Sequence, residues 1–208
     1  MIIATLLKIE VVEVCIYPFG GLTKFNTKLN IESYKEFLIL IGGPITQILS
    51  YYIIYFFYTR GYISINIIEK LTIIHKYLLS FNLLPIIPLD GGKLLNLILN
   101  QVISYNLSNK LSVYISILTV IVSLICIRTV LIKTLLITIL LKIAEELRNL
   151  KYRYNKFLTE RYIYNFEFNK TKIVKSIYHL YRGKKHIIKE KGIYENEKEY
   201  LTKYLHIC

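Results

Sequence analysis

No tryptophan occurs among the 208 residues, and cysteine, proline and glycine are sparse at three, four and nine copies. Cys15, Cys126 and Cys208 stand far apart with no C-x-x-C pair, which excludes a disulfide framework and a zinc knuckle. Acidic side chains are also few: 14 Asp and Glu against 27 Lys and Arg leave a formal net charge of +13. That excess does not mark a nucleic-acid binder, because the cations fall in loops and in the tail, with no aromatic-interleaved repeat on which bases would stack. Residues 1–7 lack a charged start, an apolar run of sufficient length and a small-residue cleavage site; they read as a few residues of apolar helix rather than a signal peptide.

What the chain has in abundance is apolar surface. A hydrophobic fraction of 54% and a mean hydropathy of +0.43 exceed what a soluble domain of this size carries. Residues 37–58 contain no charge and cover the roughly 20 residues needed to cross a hydrocarbon layer of ~30 Å. A second apolar stretch, 71–99, is interrupted by His75, Lys76, Pro85, Pro88, Asp90 and Lys93, which predicts a broken helix. A third, 111–141, is too long for one span and carries Arg128 and Lys133, which predicts a transmembrane hairpin turning near Arg128. The expected fold is an all-α polytopic membrane protein of about four transmembrane segments, with a small α/β cytoplasmic module at the C-terminus. The cations of the tail, among them Arg148, Lys151, Arg153 and Lys156, place that end in the cytoplasm by the positive-inside rule. Counting back four crossings puts Lys24, Lys28 and Lys35 on the same side.

The segment FNLLPIIPLDGGKLL, residues 81–95, is where chemistry is expected. A carboxylate at membrane depth persists only where it faces protein, water or a cation, and so marks a functional site. Pro85 and Pro88 each remove a helical donor, while Gly91 and Gly92 permit a sharp change of backbone direction directly after Asp90. The plainer alternative makes Asp90 a helix-end acid with Lys93 as its partner.

The pattern N-x-x-P-x-x-P-L-D-G-G from Asn82 to Gly92 resembles the signature of the site-2-protease family of intramembrane zinc metalloproteases. YPFGG (17–21) resembles the loop after that family's catalytic helix, and GGPITQIL (42–49), with Gly42, Gly43 and Pro44, resembles the small-Gly-Pro block that opens its next span. PFGG, NLLPIIPLDGGKLL, EEL (145–147), ERY (160–162) and the tail resemble the sporulation branch, which processes a membrane-associated sigma-factor precursor. The resemblance implies one Zn²⁺, with two histidines and a general-base glutamate from a His-Glu-x-x-His helix and Asp90 as third ligand. Asn82 and Pro85 would then bind the substrate backbone, and Pro88, Gly91 and Gly92 would shape the motif. Implied partners are a membrane-associated protein substrate, inhibitory membrane proteins, the lipid bilayer and further copies of the chain. No nucleic acid is expected.

His-Glu-x-x-His occurs nowhere in the sequence. His75 precedes Asp90 by roughly 20 Å of helix at ~1.5 Å per residue, and His179, His186 and His206 lie in the tail. Glu10 and Glu13 have no histidine beside them and read as interfacial charges. Residues 1–17 have the length and apolar character of the stretch that follows the zinc helix in this family. The metal motif is therefore expected just before Met1, the chain being a fragment or begun at an internal methionine. The alternative is a truncated pseudoprotease or membrane binding protein that holds a substrate without cutting it. A small transporter would call for an inverted repeat, and none is found.

The expected division is a transmembrane protease core over 1–147, a linker over 148–165 and a partial cystathionine-synthase-type (CBS-like) domain over 166–208. Residues 22–36 read as a short hairpin that could pair with an extended substrate, or equally as a plain solvated loop. The tail reads as strand, amphipathic helix and strand, with Ile173, Ile177, Leu180 and Tyr181 on one face. Resemblance implies ATP or another adenine nucleotide there, with Thr171, Arg182 and Lys184 as candidate phosphate contacts beside the alternative of a solvated helix end.

Overall fold

The computed structural model describes residues 11–17, 20–25, 33–164, 166–190 and 192–207. The structure opens on an antiparallel hairpin of β1 (Val11–Tyr17) and β2 (Gly20–Phe25), with Tyr17 opposite Gly20 and Val11 opposite Phe25. It takes in residues 22–25 of the stretch 22–36, read as a hairpin or a plain loop, and residues 26–32 of that stretch lie outside the described residues. The β-branched Val11, Val12 and Val14 at the start of β1 favour strand. The helical reading of residues 1–7, and the placing of Glu10, fall outside the described residues.

After Glu36 no charge interrupts α1 (Ser33–Thr59), and most of its apolar side chains face outward: Leu49, Tyr52, Ile53 and Phe56 are each more than half exposed. Only 11% of its most apolar window is buried, so the helix presents a lipid-like surface rather than a protein core. Pro44 lies inside it and removes the amide that would bond the Leu40 carbonyl. Gly61, at φ +79°, turns the chain back into α2 (Ile65–Asn82), which packs against α1.

Helix α2 stops at Asn82 and α3 (Asp90–Val102) starts at Asp90, so the expected broken helix is present with its break over residues 83–89. Every amide donor in the break has a partner: Leu83 bonds the Leu79 carbonyl, Leu84 that of Phe81, Ile86 that of Leu84 and Leu89 that of Ile86. The fifth, Ile87 N–H, donates to Ser116 Oγ at 2.9 Å. The Ile87–Pro88 peptide is cis.

The expected hairpin follows as α4 (Tyr105–Cys126) and α5 (Val130–Ile163), which turn over residues 127–129 around Arg128 and pack against each other. Among the described residues, α1 and α4 are the helices long and apolar enough to cross a membrane by length and composition. Helix α5 runs 34 residues without interruption, so residues 148–163 are helix where a linker was expected. Tyr154, Phe157 and Leu158 supply the reason: they are buried and give this stretch a core to pack into.

The C-terminal sheet has the order β3 (Thr171–Val174), β4 (Lys185–Glu190), β5 (Ile193–Asn196), parallel and then antiparallel, and is followed by α6 (Glu197–Ile207). Between β3 and β4 the expected amphipathic helix is a single 3-10 turn, Ile177–His179. Ile177 and Leu180 are buried as expected, but Ile173 is 58% exposed, since on a strand it points away from its buried neighbour Val174.

Two cores hold these parts together. One joins Ile86, Ile87 and Leu89 of the break to Val113 and Val120 of α4 and Leu136, Ile139 and Ile143 of α5. The other joins Tyr105 and the lower part of α5 to Val174, Ile177, Leu180, Ile188 and Leu201, with Tyr105 stacked on Phe157 at 4.2 Å between centroids.

Candidate functional site

Asp90 is the first residue of α3, where a carboxylate meets the positive end of the helix dipole. Its side chain is 30% exposed, and Oδ1 lies 3.7 Å from Lys93 Nζ, the partner that the plainer sequence reading named. Both groups are partly solvated, so the pair contributes no more than about 1 kcal/mol.

What sets this carboxylate apart is the main chain packed round it. A methyl group added to Gly43 would lie 3.1 Å from Asp90 Oδ2, so α1 passes the acid with nothing but hydrogen between them. A Cβ on Gly91 would sit 2.2 Å from the Leu83 carbonyl oxygen, and one on Gly92 2.4 Å from the Ile86 carbonyl carbon. The Gly-Gly pair thus lets α3 start directly against the unwound strand that precedes it. Gly42 and Pro44 are buried on α1 beside this contact, and Pro88 occupies the cis bond two residues before Asp90. Asn82 ends α2, and the Pro85 carbonyl accepts from Ser116 Oγ at 3.4 Å.

His75 does not join Asp90. His75 faces α1, where its ring lies 5.4 Å from that of Tyr51 and its carbonyl accepts from Gln47 Nε2 at 3.1 Å. Among the described residues no group of three or more His, Cys, Asp or Glu side chains is placed to hold a metal ion. The described residues do not by themselves complete a zinc site.

A polar seam that the sequence reading missed supports the break. Asn96 Nδ2 reaches Asn109 Oδ1 and Ser112 Oγ, both at 3.1 Å, and Asn96 Oδ1 accepts from Asn100 at 2.7 Å. Ser108 donates to Asn100, and Ser116 closes the row at the Ile87 amide. Ser108, Ser112 and Ser116 are fully buried. Their spacing of four, with Asn96 and Asn100 also four apart, was the available signal: small and polar groups on one stripe of each helix.

In the C-terminal module a buried ionic cluster stands apart from this site. Arg161 Nη2 donates to Glu197 Oε2 at 2.8 Å and to the Lys184 carbonyl at 2.6 Å, and its Nε also pairs with Glu197. The Tyr181 amide donates to His186 Nε2 at 3.0 Å, so that nitrogen is the acceptor; Nδ1, 3.0 Å from Glu197 Oε2, carries the proton. Burial holds the imidazole below its ordinary pKa despite the glutamate beside it. Burial also pulls the Glu197 carboxyl up, but bonds from His186 and Arg161 and the guanidinium charge outweigh it and hold the group at about 2.

The residues expected to meet phosphate are engaged in different ways. Arg182 is paired with Glu36 of α1 at 2.5 Å, Lys184 Nζ lies 5.0 Å from the Tyr181 ring centre, and Thr171 is exposed at the start of β3. A cavity of about 590 Å³ in the module is lined by others, including Arg161, Tyr164, Phe168 and Lys185.

The geometry is therefore a helix broken at two prolines, an acid at the restart, and glycines packed against main chain on α3 and against that acid on α1. Residues 60–126, which contain the break and Asp90, match the profile described as Peptidase family M50. The chain is also similar to Stage IV sporulation protein FB of Bacillus subtilis (strain 168), 33% identical over 92 residues. The match covers 44% of this chain and 32% of that protein, so the chain spans about a third of the relative's length.

Proposed function

We propose that this chain carries the Asp90 part of the active site of an intramembrane metalloprotease that cuts a membrane-associated protein precursor, a sporulation sigma-factor precursor in particular. One observation carries the reading: the acid at the restart of the broken helix lies against Gly43, within a segment that matches Peptidase family M50. Asp90 would be one ligand of a zinc ion whose chemistry is to polarise the scissile carbonyl and to acidify a bound water. This chain's own part is to hold that carboxylate at the mouth of α3, with Asn82 and Pro85 facing the substrate backbone. The edges of the β1–β2 hairpin offer an extended substrate a strand to pair with. The C-terminal module lies on the cytoplasmic side in this reading, with room for an adenine nucleotide in its cavity.

The test uses protein isolated from its native membranes, wild type and Asp90→Asn, assayed for bound zinc and for cleavage of a membrane-tethered precursor. The expected result is zinc bound by the wild type, with zinc and cleavage both lost in the variant. A second reading, a membrane binding protein that holds the precursor without cutting it, is favoured by the absence of His-Glu-x-x-His from these 208 residues. It predicts precursor capture with neither zinc nor cleavage in the wild type.

A further inference from the structure

We propose that Arg182 of the C-terminal module is a positioning residue for the Asp90 site, acting through Glu36 and the first segment of α1. The proposal rests on the reading of Asp90 as a site residue, and it concerns where α1 stands against that residue. Arg182 Nη1 lies 2.5 Å from Glu36 Oε2. The arginine side chain is only 7% exposed, so this is no ordinary surface pair: a guanidinium buried that deeply depends on its counter-charge.

Both ends of the pair sit where a push would be felt. On the module side, Leu180, two residues before Arg182, is fully buried, and its carbonyl accepts the Tyr105 amide of α4 at 2.9 Å. Arg182 therefore projects from a fixed base. On the α1 side, Glu36 and Gly43 are seven residues apart, close to two full turns, so they share one face about 10 Å apart along the axis. That face is the one against which Asp90 Oδ2 rests, since a Cβ on Gly43 would lie 3.1 Å from it. Pro44 follows at once and removes the bond to the Leu40 carbonyl, which loosens the segment carrying Glu36 and Gly43 from the rest of α1. The arginine thus holds one end of a two-turn lever whose other end is the glycine facing the acid.

The experiment reads that distance directly, in the purified chain with its three native cysteines replaced by serine and the pair Gly43→Cys, Asp90→Cys introduced. The rate of disulfide formation under a mild oxidant is measured in four backgrounds: otherwise unchanged, Arg182→Glu, Glu36→Arg, and both together. Each single reversal is expected to slow cross-linking at least about fivefold, the lower end of ordinary coupling between sites, and the charge exchange is expected to restore it. Equal rates in all four backgrounds would overturn the proposal. So would slowing in the single variants that the exchange does not repair, because the effect would then be damage to the fold rather than the pair. The rate needs neither zinc nor substrate, so it stands or falls separately from the protease reading, which fails if Asp90→Asn leaves cleavage intact.

Discussion

Gly91 and Gly92 tolerate nothing larger because main chain, not side chain, lies against them. Gly92→Ala is expected to destabilise the protein by about 3 kcal/mol or more, since neither backbone can yield as a core side chain would; thermal unfolding in detergent measures it. Gly43→Ala meets the end of a side chain instead, at 3.1 Å. It should leave stability nearly unchanged while displacing the Asp90 carboxylate, so the same melting curve paired with a cleavage assay separates the two glycines. In the module, both titrating groups of the Arg161 cluster respond to acid with the same sign. His186 is held neutral below its ordinary pKa, so its contribution is present above about 6.5 and declines as pH falls. Glu197, held at about 2, contributes fully above its ordinary value and loses that contribution as pH falls from there towards 2. The melting temperature should therefore drop below pH 6.5 and again below pH 4.5, and a flat profile would contradict the buried cluster.

The break over 83–89 is an element in its own right, closed by one hydroxyl from another helix. Ser116→Ala orphans the buried Ile87 amide and should cost about 1–3 kcal/mol, with hydrogen exchange at Ile87 accelerating more than at neighbouring core amides. Much of this part of the fold was legible beforehand, because Pro85, Pro88 and the Gly-Gly pair act on the backbone locally, and Asp90 stands out by its cost in an apolar run. The turn near Arg128 was legible for the same reason. The Asn and Ser seam was not read, although its spacing is visible, because single polar residues in apolar helices carry no partner information until the helices are paired. The helix over 148–163 was not read from the sequence, because Tyr154, Phe157 and Leu158 hold it by burial against a sheet far along the chain. The module's central turn misled through periodicity, since Ile173 and Ile177 match a helical spacing but belong to a strand and a 3-10 turn.

For the molecule as a whole, the charge pattern predicts a C-terminus inside the cell. A C-terminal tag should resist protease added to intact cells and be digested once the membrane is opened; digestion from outside would reverse the topology. The two cores have a further consequence for how the protein comes apart. Helix α4 gives Tyr105 to one core and Val113 and Val120 to the other, and α5 gives Tyr154, Phe157 and Leu158 to one and Leu136, Ile139 and Ile143 to the other. Neither core can melt without unravelling a helix that the other requires. The sheet and the helical bundle are therefore one cooperative folding unit, and a substitution in either should shift a single transition rather than split it in two.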